Sequence, residues 1–256
     1  MPAIIVHLKC LTNLHVGNGD VNYNIIDNEV ERDPVTGYPV INASGVKGAL
    51  REYFTRNHLH GTDAYFGTDG RNSPDKSTSP GRLKILSAEM LAVPARTSEG
   101  NQPFYLISTP CAVKRYRDLK RELLSGADTG TVQEVREAMS VEGVAPAKQT
   151  AVSLPDGQET VLYLLEESDF KKISLPVLAR NCLNNGISTN LWYEEVVPHE
   201  SLFYFPVLVD DTPEDRELLS SFRDELDGKV VQFGGNASIG YGLCKITVLS
   251  EKEAAQ

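Results

Sequence analysis

A glycine-rich segment near the C-terminal end constrains this fold more than any other feature of the sequence. Four glycines fall within nine residues, namely Gly234, Gly235, Gly240 and Gly242. Glycine lets the backbone approach a neighbour closely and turn its N–H groups toward an anion. Tyr241 and Gly242 stand where a Walker A loop has its Lys-Ser/Thr pair, and no third glycine opens a helix as in a dinucleotide fingerprint. The segment therefore predicts a tight hairpin bend or a ligand-binding loop of another kind.

The clearest helix follows Ser44, which we predict as its N-cap. Apolar residues recur at i, i+3, i+4, i+7 and i+8 on one face, namely Val46, Ala49, Leu50, Tyr53 and Phe54. At about 100° per residue, Ser44, Lys47 and Arg51 lie on a strip beside that face. Free N–H groups at a helix N-terminus favour anions, so this strip is a candidate phosphate contact.

The order of the predicted elements indicates a single α+β domain over residues 1–256. Strands are predicted at 4–14, 83–86, 90–93, 104–107, 161–165, 202–209 and 245–249, and further helices at 112–124 and after Thr212-Pro213, the latter closed by Gly228. Pro94 is expected to end its strand, and Pro206 predicts an edge strand or a bulge. The pattern favours a ferredoxin-like sheet with insertions at about 61–82 and 125–160, the second with a short helix near 132–139.

Composition indicates an ordinary globular protein, with 41% hydrophobic and 23% charged residues. No apolar run is long enough to span a membrane, and the first residues lack the basic start of a secretory signal, so we expect a cytoplasmic protein. The formal net charge of −10 argues at first against nucleic acid. Binding, however, needs only a local basic surface.

The main local basic cluster lies at 112–124, where the default interpretation is a solvated helix face. It consists of Lys114, Arg115, Arg117, Lys120 and Arg121. The four cysteines are far apart and form no Cys-x-x-Cys pair, so we expect four buried free thiols rather than a zinc site or disulfides.

Three polar positions are ambiguous when each is taken alone. Asp27 lies in a polar segment and would ordinarily be a surface carboxylate. His15, near the end of the first strand, fits a packed or surface histidine better than a base. Glu194 and Glu195 follow Trp192 and Tyr193, which suits a solvated pair or, alternatively, a role near RNA. No Ser/His/Asp or Cys/His nucleophile is apparent.

Several segments, taken together and in order, resemble the RAMP superfamily of CRISPR proteins. They are LHVGNG at 14–19, the stretch 26–51 containing RDPVTGYPVINASGVKGALR, FG at 66–67, AVPART at 92–97 and QFGGNASIGYG at 232–242. The segment LWYEE at 191–195 narrows the resemblance to the repeated backbone subunits of type III-B (Cmr) effector complexes. Type III-A (Csm) backbone subunits share the first two motifs and the aspartate, and remain an alternative.

The resemblance implies a modified RRM-like (ferredoxin-like) palm with inserted fingers and a β-hairpin thumb within 180–197. Further copies of such a subunit stack in a helical filament along a guide crRNA, together with other Cmr subunits. The thumb interrupts the duplex of guide and target RNA, and the target is cut at each interruption. The implied partners are thus crRNA, target RNA and Cmr subunits, with no membrane.

The resemblance also implies residue roles. Asp27 matches the catalytic aspartate, as a base or as a ligand of weakly bound Mg²⁺ or another divalent cation, and His15 is a possible helper. Ser44, Lys47 and Arg51 would meet the guide, as would the loop residues Gly234, Gly235, Asn236, Gly240 and Gly242. Trp192 and Glu194 would lie in the thumb or near the target. The implied activity is a metal-dependent endoribonuclease that uses the target's own 2′-OH.

Two other functions remain open at this point. The chain would be a purely structural guide-binding subunit if Asp27 is idle. A small-molecule phosphate enzyme built on the glycine-rich loop is disfavoured by the missing Walker lysine.

Overall fold

The computed structural model describes residues 1–19, 25–68, 78–124, 140–141, 144, 148–153, 159–185 and 187–249. Its strands are β1 (Ala3–Cys10), β2 (Val40–Ile41), β3 (Lys84–Ile85), β4 (Ala88–Glu99), β5 (Phe104–Ser108), β6 (Ser140–Val141), β7 (Lys148–Ser153), β8 (Glu159–Leu164), β9 (Val177–Asn184), β10 (Ile187–Glu195), β11 (Leu202–Leu208), β12 (Val230–Gln232) and β13 (Leu243–Leu249). Its helices are α1 (Ala43–Arg56), α2 (Thr62–Phe66), α3 (Pro110–Leu123), α4 (Glu167–Phe170) and α5 (Pro213–Leu226), and Ala237–Ile239 form a 3₁₀ turn. The predicted α+β class is confirmed, whereas the helix predicted near 132–139 lies outside the described residues.

One large sheet, antiparallel at most of its pairings, forms the centre of the described chain. Its strand order is β12-β13-β1-β11-β4-β5-β8-β7, with β2 and β6 paired to β4 and β3 paired to β11. Only the β5–β8 pairing is parallel among these ladders. β9 and β10 form a separate two-stranded antiparallel hairpin, which starts slightly before the segment predicted for the thumb. In the part of the chain that the structure describes, no helix is long and apolar enough to cross a membrane.

Helices cover both faces of the sheet, so its central strands are apolar on both sides. In β1, Ile4, Val6 and Leu8 join the core beneath α1 and α5, while Ala3 and Ile5 join the core beneath α3. Because side chains alternate across a strand, two-sided burial requires a nearly continuous apolar run, and β1 has one. Val6 and Leu8 alternate with His7 and Lys9, which by itself predicts a half-buried strand. That prediction is wrong, because His7 is buried as well and helices cover both faces of the strand.

The apolar face of α1 packs as its periodicity predicts. Val46, Leu50 and Phe54 are buried, and Phe54 stacks on Phe222 of α5 with ring centroids 5.5 Å apart. The predicted N-cap is wrong: the helix begins at Ala43, and exposed Ser44 is its second residue. The first N–H group of the helix donates instead to Ser87 Oγ at 3.1 Å, a partner 44 residues away.

Two prolines occupy positions that their local preferences do not predict. β4 continues through Pro94, which pairs with Leu106 of β5 and lies beyond Ala92, the last β4 residue paired with β11. Pro206 lies in a central strand and not at an edge, at the point where the partner of β11 changes from β4 to β3. Proline lacks an N–H group, so both positions suit it because the ladder on one side has ended or is changing partner.

The C-terminal helix has the predicted boundaries. Thr212 Oγ1 accepts a hydrogen bond from Asp215 N at 3.1 Å, Pro213 is the first helical residue, and Gly228 follows with φ of 70°. Burial of all four cysteines is wrong. Cys10 and Cys244 are buried and adjacent in the sheet, whereas Cys111 and Cys182 are exposed.

Candidate functional site

Four segments that are distant in sequence meet where the β9–β10 hairpin joins the rest of the molecule. The segment after β1 bonds to the hairpin end through Leu14 and Val197, with two backbone hydrogen bonds of 2.8 Å each. On its other side, the same segment receives hydrogen bonds from the glycine-rich loop, with Gly242 N donating to Asn13 O at 2.7 Å. Asp27 and Asn28 form backbone hydrogen bonds with β10, and residues 29–31 pair with residues 16–18. We call residues 193–195, with the partners they contact, the hairpin base.

Asp27 is fixed at the hairpin base but remains exposed. Its Oδ2 accepts a hydrogen bond from Tyr193 N at 2.8 Å, and its own N–H donates to Tyr193 O at 3.0 Å. The main chain of Tyr193 therefore holds both the carboxylate and the backbone N–H group of Asp27. A carboxylate held in this way keeps its orientation and stays open to a ligand from solvent.

His15 is buried beside the hairpin base, as a packed histidine. Its Nδ1 lies 2.8 Å from the carbonyl oxygen of Glu195, and its Nε2 lies 3.8 Å from Glu194 Oε1. Because a carbonyl only accepts, Nδ1 carries the hydrogen, and the neutral ring has its lone pair on Nε2. A Cβ at Gly17 would lie 3.1 Å from Nε2, so glycine leaves room for the imidazole.

Glu194 links the hairpin to the glycine-rich loop. It is 4% exposed, and it accepts hydrogen bonds from Arg180 Nη1 at 2.9 Å and from Asn236 Nδ2 at 2.8 Å. The predicted solvated pair is therefore wrong for this residue. A buried carboxylate needs such partners because its desolvation is costly.

Glu195 is also buried, at 6% exposure, and it points to the other side of the strand. It pairs with Arg32 Nη2 at 2.5 Å and accepts a hydrogen bond from Val30 N at 3.1 Å. Its own N–H donates to Asn28 O at 2.9 Å. The solvated interpretation is wrong here too, because Glu195 holds the segment that follows Asp27 against the hairpin.

The glycine-rich loop packs on the same segment as a tight bend. Gly234 has φ of 71°, and a Cβ there would lie 2.2 Å from the His15 carbonyl oxygen. At Gly242, with φ of 74°, a Cβ would lie 1.8 Å from Phe233 O. Gly235 N donates to His15 O at 2.9 Å. Close backbone packing thus accounts for the glycines at 234 and 242 without any ligand.

The strip on α1 lies apart from these hydrogen bonds. Arg51 Nη2 donates to Gly67 O at 2.8 Å and lies 3.9 Å from Asp63 Oδ1, so its guanidinium already has partners within the chain. Lys47 is part-exposed and forms no ion pair with a described residue. α1 packs against β12, the strand that leads into the glycine-rich loop. The helix that carries Ser44 and Lys47 therefore lies against the strand that precedes this loop.

The basic cluster on α3 is largely compensated by acidic neighbours. Lys114 Nζ lies 2.6 Å from Asp118 Oδ2, and Arg115 binds Glu89 through two hydrogen bonds of 3.1 Å each. Arg121 also pairs with Asp118, at 2.8 Å. These pairs fit the solvated helix face better than a phosphate-binding surface for Lys114, Arg115 and Arg121. Lys120 is buried instead, so the prediction of a solvated face is wrong for this residue.

No group of three or more His, Cys, Asp or Glu side chains within the described residues is placed to hold a metal ion. Glu194 and Glu195 have their oxygens engaged by Arg180, Asn236, Arg32 and Val30. Asp27 is thus the carboxylate at the hairpin base that faces solvent. The described side chains do not fit a site in which protein alone surrounds a divalent cation.

Sequence reasoning missed several residues of the hairpin base. Arg180 contacts the rings of Trp192 and Tyr241 and pairs with Glu194. Arg32 pairs with Glu195. The pairing of Arg180 with Trp192 depends on the hairpin register, which no local pattern discloses. Arg32 and Glu195 are 163 residues apart in sequence, so no local sequence pattern could have predicted that they pair.

Comparisons with known proteins agree with this fold. The chain is 25% identical, over 97% of its length and 96% of the relative, to the CRISPR system Cmr endoribonuclease Cmr4 of Pyrococcus furiosus. Cryo-EM structures of type III-B Cmr-beta, in the apo state and bound to cognate target RNA, match with TM-scores of 0.78 each, at 21% and 20% identity. The matches cover 96% of both chains in the apo state and 98% of both in the RNA-bound one.

The crystal structure of oligomeric Cmr4 from Pyrococcus furiosus matches with a TM-score of 0.67 at 21% identity over 98% of both chains. The sequence model of the RAMP superfamily matches residues 7–245, which is nearly the whole chain. The chain therefore belongs to the RAMP superfamily.

Proposed function

We propose that this chain is a repeated backbone subunit of a type III-B CRISPR effector complex, where it binds guide RNA and cleaves target RNA at regular intervals. The observation that carries the proposal is the exposed Asp27 carboxylate, fixed by Tyr193 N at 2.8 Å beside a hairpin. The relative from Pyrococcus furiosus, named as an endoribonuclease, supports it over nearly the full length. The cytoplasm remains the predicted location.

The strand order supports an RRM-like palm. β1, α1, β4, β11, α5 and β13 follow one another along the chain, and the strands lie side by side as β13-β1-β11-β4. This is the arrangement of a ferredoxin-like unit. In this proposal the β9–β10 hairpin is the thumb, and it projects from the palm next to Asp27.

The chemistry is transesterification within the target RNA. The 2′-OH gives up its proton, O2′ bonds to the adjacent phosphorus, the P–O5′ bond breaks, and O5′ takes a proton. The products are a 2′,3′-cyclic phosphate and a 5′-OH end. Asp27 is open to solvent and rigidly oriented, so its carboxylate is placed to accept the 2′-OH proton.

His15 is the second candidate for proton transfer. Its Nε2 holds the lone pair of the neutral ring, and Glu194 lies 3.8 Å away to stabilise a positive charge on that ring. The imidazole is buried, so the target strand has to come close to the gap beside Gly17 to reach it. Asp27 therefore carries the proposal, and His15 is assigned as a helper.

The guide RNA would run along the α1 strip and the glycine-rich loop. Lys47 supplies a cation that no described acidic group neutralises, and the exposed Ser44 hydroxyl lies one helical turn before it. Arg51 would contribute through the half of its guanidinium that Gly67 O does not engage. Among the loop residues, Gly240 is exposed and its neighbourhood is open, which suits a backbone contact with phosphate.

The proposed Mg²⁺ or other divalent cation would be bound by Asp27 together with phosphate oxygens of the RNA, because the described protein groups offer a single free carboxylate there. Such an ion would neutralise charge on the scissile phosphate. Removal of divalent cations with a chelator should then lower cleavage without unfolding the chain.

The test is target cleavage by reconstituted complex carrying Asp27→Asn. The amide keeps an oxygen that accepts from Tyr193 N, so the loop geometry is preserved while the charge is lost. We expect cleavage to fall about 100-fold or more, with guide loading and target binding unchanged. Asp33→Asn is the matched control, since Asp33 Oδ1 likewise caps backbone N–H groups, of Val35 and Thr36, in the same segment. Unchanged cleavage with Asp27→Asn would make this subunit a structural guide-binding scaffold.

A further inference from the structure

An aromatic array on the β9–β10 hairpin, beginning one residue before the strand residue that binds Asp27, has no role in the proposed proton transfers. The guanidinium of Arg180 lies over the ring of Trp192 at 5.7 Å from its centroid and over the ring of Tyr241 at 5.5 Å. Trp192 and Arg180 are directly opposite each other in the β9–β10 ladder, whereas Tyr241 comes from the glycine-rich loop. We call Arg180, Trp192 and Tyr241 the stacking array.

Buried Glu194 fixes the position of the stacking array. Arg180 Nη1 bonds to Glu194 Oε2 at 2.9 Å, and Glu194 is fixed in turn by Asn236. A guanidinium held by a buried carboxylate keeps its plane, so the Trp192 ring rests on a firm support. Such a ring can receive a ligand without a further loss of side-chain freedom.

The array is not part of the hydrophobic cores. Trp192 and Tyr241 belong to neither core cluster, and both rings are part-exposed. Trp192 is also the single tryptophan of the chain. Core packing therefore does not explain why a large flat ring is positioned here.

Charge narrows the class of ligand. Arg180 is already neutralised by Glu194, so the array offers little to a phosphate or carboxylate. Its guanidinium also takes the place that a ligand cation would occupy over the rings. What remains is a flat, partly apolar surface, which suits a neutral planar ring such as a nucleobase.

One ring of the stacking array lies close in sequence to the strand residue that holds Asp27. Trp192 precedes Tyr193, whose N–H group bonds to Asp27, and one residue of strand advances the chain by about 3.3 Å. The ring therefore belongs to the strand residue directly before the one that holds the carboxylate. RNA-binding modules commonly hold an unstacked base on an aromatic ring.

We propose that Trp192, supported by Arg180 and flanked by Tyr241, is a stacking platform for one nucleobase of the RNA strand adjacent to Asp27. The inference rests on the proposed function and adds a binding subsite to it. Because recognition uses the face of the base, the platform should accept purines and pyrimidines alike, with stronger stacking for purines.

The test uses the emission of Trp192, which no other tryptophan obscures. The full chain is titrated at low salt with a short oligoadenylate RNA, and binding is followed separately by the anisotropy of a dye on the RNA. We expect Trp192 emission to be quenched along the same binding curve. An RNA of equal length with abasic sites should bind through its phosphates and leave the emission largely unchanged.

Variants provide a second measurement. Trp192→Leu should weaken oligoadenylate binding about tenfold, whereas Trp192→Phe should retain most of the affinity because it keeps a flat ring. Far-UV circular dichroism would verify folding, since the residue lies outside the core.

The outcomes separate the two proposals. RNA binding by anisotropy without quenching, or equal affinity of Trp192→Leu and the wild type, would overturn the platform and leave RNA binding in place. Equal quenching by the abasic RNA would assign the change to phosphate contacts and overturn it as well. Absence of any RNA binding would count against both the platform and the proposed function.

Discussion

Substitution of the loop glycines by alanine tests whether backbone packing or RNA contact requires them. At Gly234 an alanine meets two costs. Its φ of 71° lies in the left-handed region, which costs an alanine about 1–2 kcal/mol. Its Cβ would also lie 2.2 Å from the His15 carbonyl oxygen, and moving that carbonyl disturbs the 2.9 Å bond from Gly235 N, worth about 0.5–1.5 kcal/mol. We expect Gly234→Ala to lower the free energy of unfolding by about 2–3 kcal/mol.

Two neighbouring glycines serve as graded controls. Gly240 has φ of 83° but open space around the position of a Cβ, so Gly240→Ala should cost about 1 kcal/mol from strain alone. Gly235 lies outside the left-handed region, and its nearest neighbour to a Cβ is 3.9 Å away. Gly235→Ala should therefore change stability by less than about 0.5 kcal/mol.

Thermal unfolding of the three variants measures this order. For a chain of this length each kcal/mol moves the midpoint by about 2–4 °C, so Gly234→Ala should melt roughly 4–12 °C below the wild type. Equal midpoints for Gly234→Ala and Gly235→Ala would refute the packing argument. A loss of RNA affinity in Gly240→Ala or Gly235→Ala, at nearly unchanged stability, would then report a contact with the guide.

Two further predictions concern the guide contact and the sheet. Lys47→Glu should reduce the guide RNA that co-purifies with assembled complex and lower the salt dependence of binding by about one phosphate contact. Arg56→Glu, at the end of the same helix, should change neither quantity. Equal guide content in the two variants would contradict the α1 contact. Burial lowers the pKa of His7 to about 3 from 6.5. As the pH falls below 6.5, the imidazole of the unfolded chain binds a proton that the buried imidazole does not bind. The free energy of unfolding therefore decreases, by about 2 kcal/mol at pH 5. His7→Gln should flatten this dependence in urea unfolding curves, and exposed His199→Gln should leave it unchanged; the same slope in both variants would show that another group is responsible.

The elements with strong periodicity were predictable because their signal is local. α1 and α5 each present an apolar face at helical spacing, and the Thr212 cap and Gly228 lie within a few residues of the helix that they bound. The two prolines were not predictable in the same way. Whether Pro94 or Pro206 is tolerated depends on which neighbour occupies each side of the strand, and that neighbour comes from a distant part of the sequence.

Part of the candidate site was likewise predictable from local sequence, and part was not. Asp27 and His15 could be singled out because they lie in segments that resemble a family, and the structure brings both to the hairpin base. The state of Glu194 and Glu195 could not be predicted, since a Glu-Glu pair is ordinarily solvated. Their burial follows from partners at positions 32, 180 and 236, which only the closed fold brings within hydrogen-bond distance.

The sequence by itself determined the α+β class, the core helices and the family, because apolar periodicity and ordered motifs are properties of short segments. The tertiary structure alone decided which polar groups share a site. Strand register set Trp192 against Arg180, and the bend at Gly234 laid the loop on the His15 backbone. The physical reason is that burying a charge requires a partner of complementary charge, and in this chain those partners meet only when segments far apart in sequence pack together.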